Sequence, residues 1–220
     1  MNITTTLHSW DDSVALFEQR GLPEDSYENL YEEEYDVHAG DLAVEGNFDL
    51  DAAEPDGTGY IVDGALTVGG AVINTDDGCP ALIVLGDLTA AAVYLEGDAK
   101  LLVRGDVRVG AFVGHMTDKL VMINGDLRAQ VTVLSSEFSP DLIGGTLHGP
   151  VLAPPYLAPD PQAPVAPESV LVPEVLRTEG EDDPDELRNF DAPGVHGGRL
   201  LQRIEAGLPV ALTGPDAAGR

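Results

Sequence analysis

Leu101-Leu102-Val103-Arg104-Gly105-Asp106-Val107-Arg108-Val109 is the stretch that decides the fold, because its pattern recurs along the chain. An apolar strand, a Gly-centred corner and a second apolar strand appear upstream in Ile61-Val62-Asp63-Gly64-Ala65-Leu66-Thr67-Val68 and in Leu82-Ile83-Val84-Leu85-Gly86-Asp87-Leu88-Thr89. The pattern returns in Leu120-Val121-Met122-Ile123-Asn124-Gly125-Asp126-Leu127-Arg128 and in Leu142-Ile143-Gly144-Gly145-Thr146-Leu147-His148, and Gly40-Asp41-Leu42-Ala43-Val44 is a candidate first copy. From Gly40 to Gly145 the marker glycines are separated by 24, 22, 19, 20 and 20 residues. Short β-rich units of this period cannot bury an apolar face alone, so each must stack on the next at about 4.8 Å. The expected class is all-β: a parallel β-helix (β-solenoid) of about five to six coils with short helical caps, right-handed by the general rule for parallel crossovers.

Gly64, Gly86, Gly105, Gly125 and Gly145 are read as corners where glycine supplies a positive φ. Asp87, Asp106 and Asp126 are read as Asx-type turn residues accepting from nearby backbone N–H groups. Gly46-Asn47, Gly69-Gly70, Gly97-Asp98 and Gly110 point to further corners in each coil.

Four regions are expected. Residues 1–39 form an acidic helical cap. Its first helix, Asp12–Arg20, turns Val14, Leu16 and Phe17 inward and is closed by Gly21. A second helix, Ser26–Asp36, gathers Tyr27, Leu30, Tyr31 and Tyr35 on one face, and these rings with Trp10 read as cap packing. Residues 40–149 are the solenoid, and 150–173, carrying half of the 16 prolines, are extended. Residues 174–220 dock as a second cap through a helix at Arg199–Ala206, with Leu200, Leu201 and Ile204 inward and Gly207 as its stop.

The charge narrows the function. There are 39 acids against 11 Lys and Arg, a net −28. Nineteen acids and no Lys or Arg lie between Gly21 and Ala99, and a second acid run spans Glu179–Asp191. Direct nucleic-acid or anionic-membrane binding is disfavoured, and a basic protein is the natural complement. Residues 1–13 have neither the basic nor the apolar segment of a leader, and no apolar run is long enough to cross a bilayer, so a cytoplasmic location is expected.

Catalytic signals are weak. Stacked carboxylates at Asp87, Asp106 and Asp126 resemble glycosidase machinery in type, but all occupy one repeat slot, as turn residues would. No calcium-binding nonapeptide or EF-hand loop occurs, and His8, His38, His115, His148 and His196 make no zinc spacing. Nucleophile-elbow, phosphate-loop and dinucleotide patterns are absent from the sequence. Cys79, the single cysteine, reads as a small buried apolar residue. No cofactor or metal is expected, and no enzyme activity.

Leu85-Gly86-Asp87-Leu88 and Asn124-Gly125-Asp126-Leu127 resemble the repeats of bactofilins, polymer-forming cytoskeletal proteins with short parallel β-helices. The resemblance covers roughly 40–149 and implies assembly through bare apolar coil ends. Two features depart from it: foldable flanks able to cap those ends, and a charge opposing end-to-end contact. The first expectation is therefore a protein-binding module, monomeric or a small oligomer, similar in logic to acidic immunity proteins that occlude a basic toxin site. Its candidate contacts are Glu28, Glu32, Glu33, Glu34 and Asp36, with Asp182, Asp183 and Asp185 second. A bactofilin-like scaffold is the alternative, and a nucleic-acid mimic the next.

Overall fold

The computed structural model describes residues 3–76, 81–117, 119–157, 165–178 and 190–212. An initial strand β1 (Thr6–His8) leads into α1 (Trp10–Arg20) and the one-turn α2 (Glu24–Tyr27). Coil one comprises β2 (Tyr35–Ala39), β3 (Leu42–Val44) and β4 (Phe48–Asp49). Coil two repeats this with β5 (Gly59–Asp63), β6 (Leu66–Val68) and β7 (Ala71–Asn74). In coils three to five the second and third strands run together around their corner: β8 (Ala81–Val84) with β9 (Leu88–Leu95), β10 (Lys100–Val103) with β11 (Val107–His115), and β12 (Val121–Ile123) with β13 (Leu127–Ser135). Coil six ends the stack with β14 (Leu142–Ile143), β15 (Leu147–His148) and β16 (Val151–Leu152). Two 3-10 turns (Pro167–Ser169 and Pro173–Val175) and α3 (Gly197–Glu205) follow.

The result is a parallel β-solenoid of six coils with three faces. Face one stacks β2, β5, β8, β10, β12 and β14. Face two stacks β3, β6, the first halves of β9, β11 and β13, and β15, while face three stacks β4, β7, the second halves of the long strands, and β16. Every coil-to-coil pairing is parallel and in register, as in Val107↔Leu88 and Val107↔Leu127. Coil one begins at Tyr35, and coil six reaches Leu152, so the solenoid extends beyond 40–149 at both ends.

Strand alternation divides apolar side chains between the inside and the outside of the coil. Val62, Leu82, Leu101, Val121, Leu88, Val107, Leu127, Val93 and Phe112 fill the interior. The outward residues of face one, including Ile61, Ile83, Leu102 and Met122, are buried as well, beneath Phe17, Leu22, Tyr27 and Leu30 of the N-terminal flank. The outward residues of face three, among them Ile73, Tyr94, Val113 and Val133, lie beneath Leu171, Val175, Phe190, Leu200 and Ile204 of the C-terminal flank. Each such side chain contributes about 1.5–3 kcal/mol by leaving water.

This placement corrects the expected caps. Both flanks are mainly lateral covers, because strands of faces one and three are apolar on both sides and an end cap would leave one side wet. At the first end β1 pairs antiparallel with β2 and blocks the first edge of face one, and at the last Ala153 and Leu157 pack against the interior. The expected helix at Ser26–Asp36 is also corrected. Helix α2 stops at Tyr27, and Tyr35, fully buried, opens strand β2, donating its hydroxyl to the Tyr31 carbonyl at 3.0 Å. Strand pairing of Asp36 and Val37 with Tyr60 and Ile61 overrides the helical spacing of the aromatic residues. Trp10 packs within 6.2–6.5 Å of the rings of Phe17, Tyr27 and Tyr35, as expected of the cover.

Two other helices match the sequence closely. Helix α1 is capped by the Ser9 side chain and closed by Gly21 at φ 68°, and α3 turns Leu200 and Ile204 inward. Of the proline tract, residues 165–173 lie along face three, but they form two 3-10 turns where plain extended chain was expected. Pro167 and Pro173 start those turns, where a missing N–H costs nothing and a fixed φ helps.

The glycine corners need correcting in mechanism. Gly64, Gly86, Gly105, Gly125 and Gly145 do not have positive φ. They are needed because the coils touch there: a Cβ on Gly86 would lie 2.6 Å from the Gly64 carbonyl carbon and 2.7 Å from the Ala65 nitrogen. Gly86→Ala should therefore lower stability by about 3 kcal/mol, as overpacking against backbone does. Gly86→Asn should be no better tolerated, although Asn accepts positive φ; urea unfolding midpoints of the two variants check both statements.

Candidate functional site

The repeated Gly-Asp corner forms a ladder up one edge of the solenoid. Each aspartate Oδ1 accepts from the backbone N–H of the corresponding corner residue one coil further on. Asp41 accepts from Ala65 at 2.8 Å, Asp87 from Asp106 at 2.9 Å, Asp106 from Asp126 at 2.9 Å and Asp126 from Thr146 at 2.8 Å. Asn47 does the same for Ala71 at the second corner, at 2.9 Å. These bonds run between coils, 19 to 24 residues apart, and not within a local Asx turn as the sequence suggested.

The other oxygens of Asp87, Asp106 and Asp126 meet basic side chains on face two. Arg108 donates to Asp87 at 2.8 Å and to Asp106 at 2.6 Å, Arg128 donates to Asp126, and His148 Nε2 lies 3.2 Å from Asp126. The Asp87 carboxyl is held below the usual carboxylate range, first by the Asp106 N–H and then by Arg108, against the opposing effect of burial. Asp126 is lowered likewise by the Thr146 N–H and by His148.

Other aspartates are also tied into the framework. Asp36, only 3% exposed, accepts from Thr5 Oγ1 at 2.7 Å and Gly57 N–H at 2.9 Å. It is an internal tie, which removes it from the expected contact surface, since a buried, hydrogen-bonded carboxylate cannot meet a partner. Asp51 accepts from Asn74 and Thr75, Asp63 pairs with Arg20 at 2.6 Å, and Asp141 accepts from Val121 N–H at 2.7 Å. Asp191 fastens the C-terminal flank, taking bonds from Ser135 Oγ, Ser136 N–H and the Tyr156 hydroxyl. Burial pushes the Asp191 carboxyl up, but these donors outweigh it and leave it lowered.

The glutamates of the N-terminal flank are different. Its path crosses face one, held by Ser26 Oγ donating to Asn124 Oδ1 at 3.2 Å and by Lys100 Nζ donating to the Asn29 carbonyl. Glu28, Glu32 and Glu34 project into solvent from it, and among the described residues nothing hydrogen-bonds or pairs with their carboxylates. Glu33, also exposed, accepts from Thr58 Oγ1 at 2.6 Å. Among the described residues Lys100 makes no ion pair with these glutamates: its ammonium sits 3.8 Å from the Tyr31 ring centroid, and burial lowers its pKa. Asp182, Asp183, Asp185 and Cys79 lie outside the described residues.

Among the described residues face two is the face without a cover, and the sequence reading did not single it out. Its outward column, Ala43, Thr67, Thr89, Arg108, Arg128 and His148, follows the strand register. The signal was present: Val107-Arg108-Val109 and Leu127-Arg128-Ala129 alternate, whereas Leu82-Ile83-Val84-Leu85 does not. Among the described residues no cluster of His, Cys, Asp and Glu is arranged to hold a metal, and no helix is long and apolar enough to cross a membrane. Comparison with protein families, curated proteins and solved structures finds no match for this chain.

Two predictions test the ladder. Position 65 lacks the corner acceptor, so Ala65→Asn, supplying an Oδ1 for the Asp87 N–H, should raise stability by about 1 kcal/mol in urea unfolding. Asp87→Asn keeps the Oδ1 acceptor and removes only the charge facing Arg108. Because the folded-state pKa of Asp87 is depressed, its charge stabilises fully above the unfolded value near 3.9 and loses its effect as pH falls through the folded value. Wild type should thus exceed Asp87→Asn in urea midpoint at pH 7, with the difference closing below about pH 4.

Proposed function

We propose that this chain is a non-enzymatic protein-binding module that engages a basic partner through the acidic ridge of its N-terminal flank, in the manner of an immunity protein occluding a basic toxin site. The observation that carries this reading is the division of the acids. Aspartates at the corners and edges are consumed in backbone bonds and ion pairs, whereas Glu28, Glu32 and Glu34 are exposed on an anchored segment with no structural work among the described residues. A fixed row of unpaired carboxylates steers a cationic surface and selects it over neutral ones. The stacked coils supply a rigid platform, so little ordering entropy is lost on binding.

A bactofilin-like scaffold finds support in the repeat style and less in the ends, since β1 occupies one edge where a neighbouring copy would add. The nucleic-acid mimic finds least, because the corner carboxylates Asp87, Asp106 and Asp126 face Arg108, Arg128 and His148, which offsets much of their charge.

Glu28→Gln, Glu32→Gln and Glu34→Gln combined should leave the circular dichroism and unfolding midpoint unchanged. Basic proteins captured from lysate by the wild type should be lost from the variant. For the captured partner, association at low salt should slow by about tenfold and its salt dependence should flatten. Unchanged association by the variant would remove the ridge from the binding surface.

A further inference from the structure

The two ends of the solenoid are unlike. At the first end, β1 pairs antiparallel with β2, and the corner glycines Gly40 and Gly46 adopt positive φ of 84° and 74° with open space where a Cβ would point. Coil one therefore departs from repeat geometry at the corners where another coil would stack. At the other end, β14 and β15 finish their sheets, and among the described residues no strand pairs with their outer edges. Gly145, at the corner between them, keeps the repeat geometry, with Gly144, Gly145 and Thr146 exposed and Leu142, Ile143 and Leu147 half-buried. Ala153 and Leu157 pack over part of the interior at this end, leaving the edge from 142 to 148.

Charge distinguishes the ends as strongly. Residues 21–99 carry nineteen acids and no Lys or Arg, whereas 100–150 balance five basic residues with five acids. The corner ladder also stops short: the slot holding Asp41, Asp87, Asp106 and Asp126 holds Thr146 in coil six, so no ladder carboxylate faces outward there.

We propose that the edge of coil six, from Leu142 to His148, is a self-association surface where a second copy of this chain pairs two-fold through the β14 and β15 edges, giving a closed dimer. Open strand edges supply main-chain hydrogen bonds, and the half-buried Leu142, Ile143 and Leu147 supply apolar contact. The partner is a second copy because this end is the less acidic one, residues 100–220 carrying seventeen acids against ten Lys and Arg, so two such ends meet with less repulsion than contact at the acidic end would bring. A two-fold contact uses the same edge on both copies and so closes at two, while at the opposite end β1 occupies the face-one edge. An edge of seven residues is small beside the 20–30 per side of a standard interface, so the association is reversible.

Sedimentation equilibrium of the full chain across concentration and salt tests this. The 23.1 kDa chain should approach twice its mass with rising concentration and stop there. Thr146→Asp continues the corner ladder and places a carboxylate at the edge, so the fold is kept while dimerisation weakens by at least about tenfold at low salt and recovers at high salt. Thr146→Asn, of the same shape without charge, should dimerise like wild type, as should Ala43→Asp at the opposite end. A single-copy mass at every concentration, growth beyond two copies, an unaffected Thr146→Asp, or equal weakening by Ala43→Asp would each overturn the proposal.

Discussion

Close approach of successive coils at the Gly-Asp corner is the constraint on which the remaining structure depends. The backbones come so near that no Cβ fits at Gly86 or Gly64, and that proximity lets a side chain as short as Asp reach the N–H of the next coil. Glutamate is one methylene longer and would overshoot, which accounts for Asp or Asn at every corner that makes the bond. The ladder satisfies backbone donors that the turn between two sheets would otherwise leave unpaired, and so keeps register from coil to coil.

Acidity in this protein therefore serves two physical purposes. Corner aspartates are partly screened, hydrogen-bonded and balanced by Arg108 and Arg128, so they contribute to the fold and little to the outer field. The flank glutamates carry no such load among the described residues, so their charge is available to a partner. A net charge of −28 consequently overstates how much negative surface is free to bind, because carboxylates such as Asp36 and Asp191 are already engaged within the molecule.

The flanks follow from the same strand arithmetic. Faces one and three have apolar residues pointing both ways, and a solenoid interior can bury only one set. The other set requires a second layer, supplied on face one by α1 and α2 and on face three by the proline-containing segment with α3. Face two alternates apolar with polar residues and carries no second layer among the described residues.

The sequence alone determined the coil. Six copies of an apolar-Gly-apolar unit at nearly constant spacing leave stacking as the way to bury their apolar face, and the helices around Phe17 and Leu200 were legible from their spacing and stop glycines. Tertiary structure decided where the flanks lie, why the corner glycines are required and which acids are free. The fate of Asp36 rests on Thr5 and Gly57, and that of Asp87 on a backbone N–H nineteen residues away, while Glu28 has no such neighbour among the described residues. Local pattern fixes which side of a strand a residue takes. What that side then meets depends on chain segments brought together only by folding.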